Sequence, residues 1–389
     1  MLKNRHMLKH QLPLFLLTLT LTACAGRSGP LLPTSRAVSV RGLQAESLLP
    51  DLKSFNAADQ EQLEKALATS RTDLQAQQLT PTLRKTLNKL LPYLKTRYGY
   101  MRRPRHIKST RLPDNAEPLT LQSADGTPIQ GFFLAAADPA GRRKTVILQH
   151  GYQFNKWMAF ERYGFLQKQY NVLALDFRAH NGQPGESSLG IKEREDITAA
   201  LRWLEHRFPA PREHQVGLLG ESMGAATVMA AAADWSSQGS SVVIKGVWND
   251  AAYADLYHAL EERIFKGLAE DLSTTPTVLK KWGAGMITRT YLRWLAQDTK
   301  VRDVERVAAP KYTLKRLLSA RPAVRYAQVH SVEDEQTSFE NAQILSKVVE
   351  TVTGQPFSFW QARGKHVETY RQPEYAPRVR QFFAAAFQP

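Results

Sequence analysis

From Glu117 to the C-terminus, short apolar runs alternate with amphipathic stretches, and that alternation admits few folds. Leu119–Gln122 and Ile129–Leu134 flank Asp125-Gly126, a hairpin signature. Further strands are expected at Thr145–Gln149, Asn171–Asp176, Val216–Leu219, Val242–Trp248, Ala323–Val329 and Phe357–Gln361. Between them lie helical stretches such as Arg194–Arg207, with Ile197, Leu201 and Leu204 on one face. Apolar strands alternating with helices imply an α/β fold, a mostly parallel sheet covered on both sides. Residues 254–310 carry no obvious strand and read as a helical cap insertion, with Trp282, Met286, Tyr291 and Trp294 as apolar material.

One strand-to-helix junction stands out. Val216–Leu219 runs into the pentad Gly220-Glu221-Ser222-Met223-Gly224, and Ala225–Ala233 is almost all small or helix-favouring residues. A bare G-x-S-x-G is common by chance, so its setting carries the argument. Strand, sharp turn and helix is the context in which such a serine occupies a strained conformation with Oγ above the sheet. Glycines two residues to either side remove side chains that would collide as strand and helix approach.

The N-terminus has a different character. Lys3, Arg5 and Lys9 precede an apolar stretch from Leu12 to Ala23, the length of a signal peptide and too short to span a bilayer. It ends Leu21-Thr22-Ala23-Cys24, which resembles the lipobox of bacterial lipoproteins, and Cys24 is the chain's only cysteine. The resemblance implies a signal peptide over 1–23, lipidation of Cys24 and a protein anchored in the bacterial cell envelope. Ala25 after the cysteine favours the outer membrane, facing the periplasm. Residues 24–55 read as a tether and 56–112 as a basic helical extension. One helix is expected from Asn56 to about Gln78, and another starts at Thr80-Pro81 with a kink or end at Pro92.

Of the formal net charge of +16, residues 25–112 contribute +10, with sixteen Lys/Arg against six Asp/Glu. The excess is densest at Arg102, Arg103, Arg105 and Lys108, where an anionic membrane surface would attract about 1 kcal/mol per basic residue. Nucleic acid is not an expected partner of an exported lipoprotein.

Residues 113–389 resemble the α/β-hydrolase superfamily, in particular its esterase, monoacylglycerol-lipase and serine-aminopeptidase-like branches. The motifs that carry the resemblance appear in the family's order. Strand 145–149 enters His150-Gly151-Tyr152, and Asp176-Phe177-Arg178-Ala179-His180-Asn181-Gly182 is similar to the family's D-x-R-G-H-G turn. The Ser222 elbow follows, then His330-Ser331-Val332-Glu333-Asp334, similar to H-G-x-x-D, and Gly364-Lys365-His366, similar to G-x-H. The resemblance implies Ser222 as nucleophile, His366 as base and Asp334 as acid, with Glu333 and Glu335 as the acid's neighbours. It implies an oxyanion hole from the backbone N–H groups of Tyr152 and Met223, with no metal or organic cofactor.

A serine hydroxyl is a weak nucleophile near neutrality, so a histidine must take its proton, and a carboxylate must orient that histidine. Of the other histidines, His150 and His330 stand where the family shapes turns, while His106 and His214 lie in polar connections. Asn181, Ser331 and Asn249-Asp250 depart from the family's pattern at turns.

The expectation is a membrane-anchored serine hydrolase acting on a small or lipid-like acyl substrate, most simply a carboxylic ester. The alternatives are a serine peptidase, for which Glu261-Glu262 would have to supply an acidic anchor, and a non-catalytic binding protein on the same fold.

Overall fold

The computed structural model describes residues 102–104, 108–236, 238–271, 277–301 and 303–388. The expected signal peptide, Cys24, the tether and nearly all of the basic extension lie outside them. The chain divides into two compact units, Met1–Leu90 with Ile264–Gly285, and Leu91–Arg263 with Met286–Pro389. The described residues of the first are helical throughout. The second holds the sheet and every candidate catalytic residue.

The sheet has eight strands: β1 (Glu117–Gln122), β2 (Pro128–Leu134), β3 (Lys144–Gln149), β4 (Asn171–Leu175), β5 (His214–Glu221), β6 (Val242–Asp250), β7 (Arg325–Ser331) and β8 (Trp360–Ala362). Their order is β1-β2-β4-β3-β5-β6-β7-β8. The β1–β2 hairpin joins antiparallel to β4, and every other pairing is parallel. The chain moves outward from β3 to β4 and returns on the other side of β3 as β5. The order therefore reverses between β3 and β5, and a crevice opens at the carboxyl ends of these strands.

Strand residues alternate between two cores, as a pleat requires. Ile147, Leu173, Leu175, Val216, Leu218 and Val247 face α2 (Glu193–Arg207) and α3 (Met223–Asp234). Val146, Leu148, Val172, Ala174, Leu219 and Trp248 face α1 (Lys156–Tyr163) and, at the chain's end, a helix over Tyr375–Ala386. The insertion carries α4 (Leu256–Asp271), α5 (Thr277–Thr299) and the short α6 (Val304–Val307). The chain continues through α7 (Pro310–Ala320), α8 (Glu340–Thr353) and α9 (Tyr375–Ala386).

Three local expectations change. β8 is confined to Trp360–Ala362, because Phe357 and Phe359 pack by their rings instead, against Tyr326 at 5.8 Å and Phe339 at 5.7 Å. His214 opens β5 rather than lying in a polar connection. It is buried, stacks on Phe208 at 3.9 Å and meets the Thr145 hydroxyl at 2.8 Å, and burial pushes its pKa down to about 3. Arg102 does not offer its charge to a surface. Its side chain is 7% exposed, pairs with Glu186 at 2.9 Å and with Asp298, and lies 5.5 Å from the Trp294 ring. Arg103 is 79% exposed and shares Glu186 at 3.2 Å.

Arg178 ties the first hairpin to the sheet's helices. Its guanidinium donates to both carboxylate oxygens of Asp196, to Asp125 Oδ2 at 2.7 Å and to Ser123 Oγ at 2.7 Å. Burial raises the Asp125 carboxyl, but hydrogen bonds from Thr127 and Arg178 outweigh it and hold the group at about 2. Removing the cation would strand the buried Asp196 carboxylate. Arg178→Met is therefore expected to cost about 3–5 kcal/mol of unfolding free energy, read from urea denaturation. A wild-type midpoint would refute this role.

Candidate active site

β5 ends at Glu221 and α3 begins at Met223, leaving Ser222 alone at the corner with φ 52° and ψ −119°. Few non-glycine residues adopt such a conformation, and holding one there costs of order 1–3 kcal/mol. The corner is tight because helix and strands nearly touch. A Cβ on Gly220 would come within 2.5 Å of Gly224 and Ala225 backbone, and one on Gly224 within 2.5 Å of the Gln149 and His150 carbonyls. The Ser222 N–H donates to the Asp250 carbonyl at 2.7 Å, tying the corner to β6.

Three of the residues singled out by sequence meet at this corner. His366 Nε2 lies 2.8 Å from Ser222 Oγ, and His366 Nδ1 lies 2.6 Å from Asp334 Oδ2. Asp334 sits in the turn after β7, where its other oxygen accepts the N–H groups of Gln336 at 2.8 Å and Thr337 at 2.9 Å. Burial raises its pKa, but the His366 contact and the Thr337 N–H prevail and hold it below the usual carboxylate range. Glu333 points elsewhere, accepting the Gly364 N–H at 2.9 Å, and Glu335 is exposed. His330 is buried behind the acid, 3.4 Å from Asp334 Oδ2 and 2.9 Å from the Thr337 carbonyl, and burial lowers its pKa.

Met223 is the first residue of α3, where backbone N–H groups have no intrahelical acceptor and the helix dipole favours negative charge. Tyr152 follows Gly151, whose Cβ position lies 3.3 Å from Ser222 Cβ, so this loop passes directly beside the serine. His150 fixes the loop: its Nδ1 meets the Gly151 carbonyl at 2.7 Å, and its Nε2 accepts the Phe177 N–H at 3.0 Å. Those partners make it a neutral donor–acceptor bridge. From α4, the Arg263 guanidinium reaches 6.0 Å from the Tyr152 ring.

Two buried carboxylates here were not singled out by sequence. Glu221 accepts the Gly151 N–H at 3.2 Å and the Tyr163 hydroxyl at 2.9 Å, and pairs with Arg162. Asp250 stands opposite Glu221 across the β5–β6 ladder. Burial pushes its carboxyl up to about 6, the Glu221 charge adding to the effect and the Tyr375 and Thr369 hydroxyls opposing it. The available signal was a charged residue at the inner end of an apolar run, since such residues are rarely buried without partners. Among the described residues no group of three or more His, Cys, Asp or Glu is placed to hold a metal ion.

A model of the alpha/beta hydrolase family matches residues 146–368, and the chain belongs to that family. An esterase of Pyrococcus furiosus has the same fold, with a TM-score of 0.55 at 21% identity over 74% of this chain and 98% of that one. A second crystal form of that esterase gives 0.51 at 20% identity, over 72% and 98%. Among curated proteins, the uncharacterised Bacillus subtilis protein YqkD is 30% identical over 126 residues, 32% of this chain and 40% of that protein. The uncharacterised protein YfhR of Salmonella typhimurium is 30% identical over 125 residues, 31% and 41%. The chain thus spans about two-fifths of the length of the curated relatives it matches.

The strain at the corner makes a prediction independent of activity. A glycine at 222 accepts the positive φ freely, whereas alanine does not. Ser222→Gly is expected to unfold at higher urea than Ser222→Ala, by about 1–2 kcal/mol. Equal midpoints would mean that the corner holds no such strain.

Proposed function

We propose that the protein is a serine hydrolase that cleaves a carboxylic ester or related acyl bond through Ser222, His366 and Asp334. The observation that carries this reading is the continuous contact from Oγ through the imidazole to a buried carboxylate, at 2.8 and 2.6 Å, on a strained strand-to-helix corner. In this reading His366 Nε2 takes the hydroxyl proton as Oγ bonds to the substrate carbonyl carbon. The negative charge passing to the carbonyl oxygen is met by the N–H groups of Met223 and Tyr152. His366 then returns the proton to the leaving alcohol as the C–O bond breaks. Water, deprotonated by the same nitrogen, releases the acid and regenerates the serine. Asp334 stays ionised, holding the imidazole tautomer and stabilising the imidazolium.

Of the pair that would have to anchor the free amino terminus of a peptide, Glu261 accepts the Tyr257 hydroxyl at 3.0 Å and lies 4.0 Å from His258. The Glu262 charge acts on His330 behind Asp334, so a serine peptidase is the second reading and Glu262 its candidate anchor. The burial of Asp334 with every oxygen turned to a donor argues against a purely non-catalytic role. We further propose that Cys24 is lipidated and anchors the protein in the cell envelope, on the outer membrane facing the periplasm. That proposal rests on Leu21–Cys24 and Ala25 alone. With Arg102 engaged in ion pairs, any attraction of the basic segment to anionic headgroups falls to its other residues.

A fluorophosphonate probe and a p-nitrophenyl ester series test the chemistry together. Wild-type protein should be labelled and turn over esters, and Ser222→Ala should remain folded and do neither. Asp334→Asn should lower kcat by roughly 10³–10⁴-fold, while Glu333→Gln should change it far less. Full turnover by Ser222→Ala, or a crippling Glu333→Gln, would overturn the assignments. For the anchor, labelling of cells with an alkynyl palmitate should mark the wild-type protein and not Cys24→Ser.

A further inference from the structure

Asp250 touches both sides of the proposed reaction centre without belonging to it. Its main-chain carbonyl accepts the Ser222 N–H at 2.7 Å. Its Oδ2 accepts the Thr369 hydroxyl at 2.8 Å and the Tyr375 hydroxyl at 2.7 Å. Thr369 lies three residues beyond His366, at the far end of the loop that carries it, and is fully buried. Tyr375 opens α9, and its oxygen accepts Trp248 Nε1–H at 3.1 Å, which turns the phenolic proton toward the carboxylate. The near end of the same loop is held separately, by Ser331 Oγ donating to the Gly364 carbonyl and by Glu333 accepting the Gly364 N–H.

The charge of Asp250 is costly where it stands. The residue is fully buried, faces Glu221 across the ladder and has no lysine or arginine paired with it among the described residues. Arg162, the nearby cation, is committed to Glu221. A leucine would fill the volume at lower cost, so packing alone does not account for a polar group here. Its geometry does account for one. A single acceptor oxygen can take two hydroxyl donors at once, and these two donors come from the loop and the helix that follow His366.

We propose that Asp250 is a positioning residue which, through Thr369, sets the reach of His366 toward Ser222. This rests on the reading of Ser222, His366 and Asp334 as the catalytic group. Nucleophile and base are then referred to one point on β6, the former by the carbonyl of Asp250 and the latter by its carboxylate. Relaxing the Thr369 link lets the imidazole drift, and small misplacements of a reacting group are expensive in rate.

The experiment compares Asp250→Leu, Thr369→Val and Thr369→Ser with wild-type protein. Asp250→Leu removes the acceptor, Thr369→Val keeps the side-chain shape and removes the donor, and Thr369→Ser restores it. With p-nitrophenyl butyrate, Asp250→Leu and Thr369→Val should lower kcat about tenfold or more and leave KM within about twofold, and Thr369→Ser should recover most of the loss. Should Asp250→Leu fail to fold, as judged by near-ultraviolet circular dichroism, the threonine pair carries the comparison. A second readout needs no turnover. The far-downfield proton resonance of His366 Nδ1–H, identified by its loss in His366→Gln, should broaden or shift in Thr369→Val and return in Thr369→Ser. Wild-type kcat with an unchanged resonance in Thr369→Val, or a change confined to KM, would overturn the proposal. A wild-type protein that resists the fluorophosphonate probe would sink the hydrolase reading instead, and the resonance would still decide whether Thr369 positions His366.

Discussion

The constraint on which the rest depends is the close approach of the first turn of α3 to the carboxyl ends of β3 and β5. There the Gly224 Cα and the carbonyls of Gln149 and His150 come so near that a methyl group would not fit. That approach forces Ser222 into the positive-φ corner, lifts its hydroxyl out of the sheet and sets the start of a helix beside it. It also brings the Gly151–Tyr152 loop against the serine. The strained serine, the helix N-terminus beside it and the neighbouring Gly151–Tyr152 loop are thus consequences of one packing contact, paid for by strain at a single residue.

Topology supplies the remaining partners. Because the strand order reverses between β3 and β5, the loops after these strands diverge and leave a crevice, and the loops after β6, β7 and β8 line up along one side of it. Asp250, Asp334 and His366 come from those three loops or strand ends in sequence order. A parallel sheet delivers all its carboxyl ends to one edge, so residues more than a hundred positions apart converge without any long connection between them.

What was legible in the sequence follows the same logic. Parallel strands buried on both faces are written as continuous apolar runs, which is why Thr145–Gln149 and Asn171–Leu175 were plain. Ser222, Asp334 and His366 were legible because each stands in a short motif whose glycines or turn residues mark a special backbone. Glu221 and Asp250 were not, since their importance lies in partners far along the chain: Arg162 and Tyr163 for one, Thr369 and Tyr375 for the other. The edge strand β8 is shorter than its apolar run, because Phe357 and Phe359 look like strand residues but are held by ring contacts. His214 is hidden in the sequence for a related reason: its neighbours Arg212 and Glu213 are exposed and polar, while its own ring stacks on Phe208.

Three buried carboxylates stand around the corner that holds Ser222, and each is settled differently. Glu221 is neutralised by Arg162 and spends its second oxygen on the Gly151 N–H, so its charge is tied to the loop beside the serine. Asp334 is stabilised by two backbone N–H groups and by His366, and its pKa falls despite burial. Asp250 has hydroxyls alone, and burial pushes it up to about 6. Asp334, lowered where Asp250 is raised, is the carboxylate touching Nδ1, where the proposed imidazolium needs its counter-charge. Glu221 has its charge balanced locally by Arg162, while Asp250 turns Oδ2 to its two hydroxyls and leaves Oδ1 buried without a hydrogen-bond partner among the described residues. In the proposed chemistry two tasks fall to different groups, Asp334 stabilising the cation on His366 and Asp250 holding the loop that carries it.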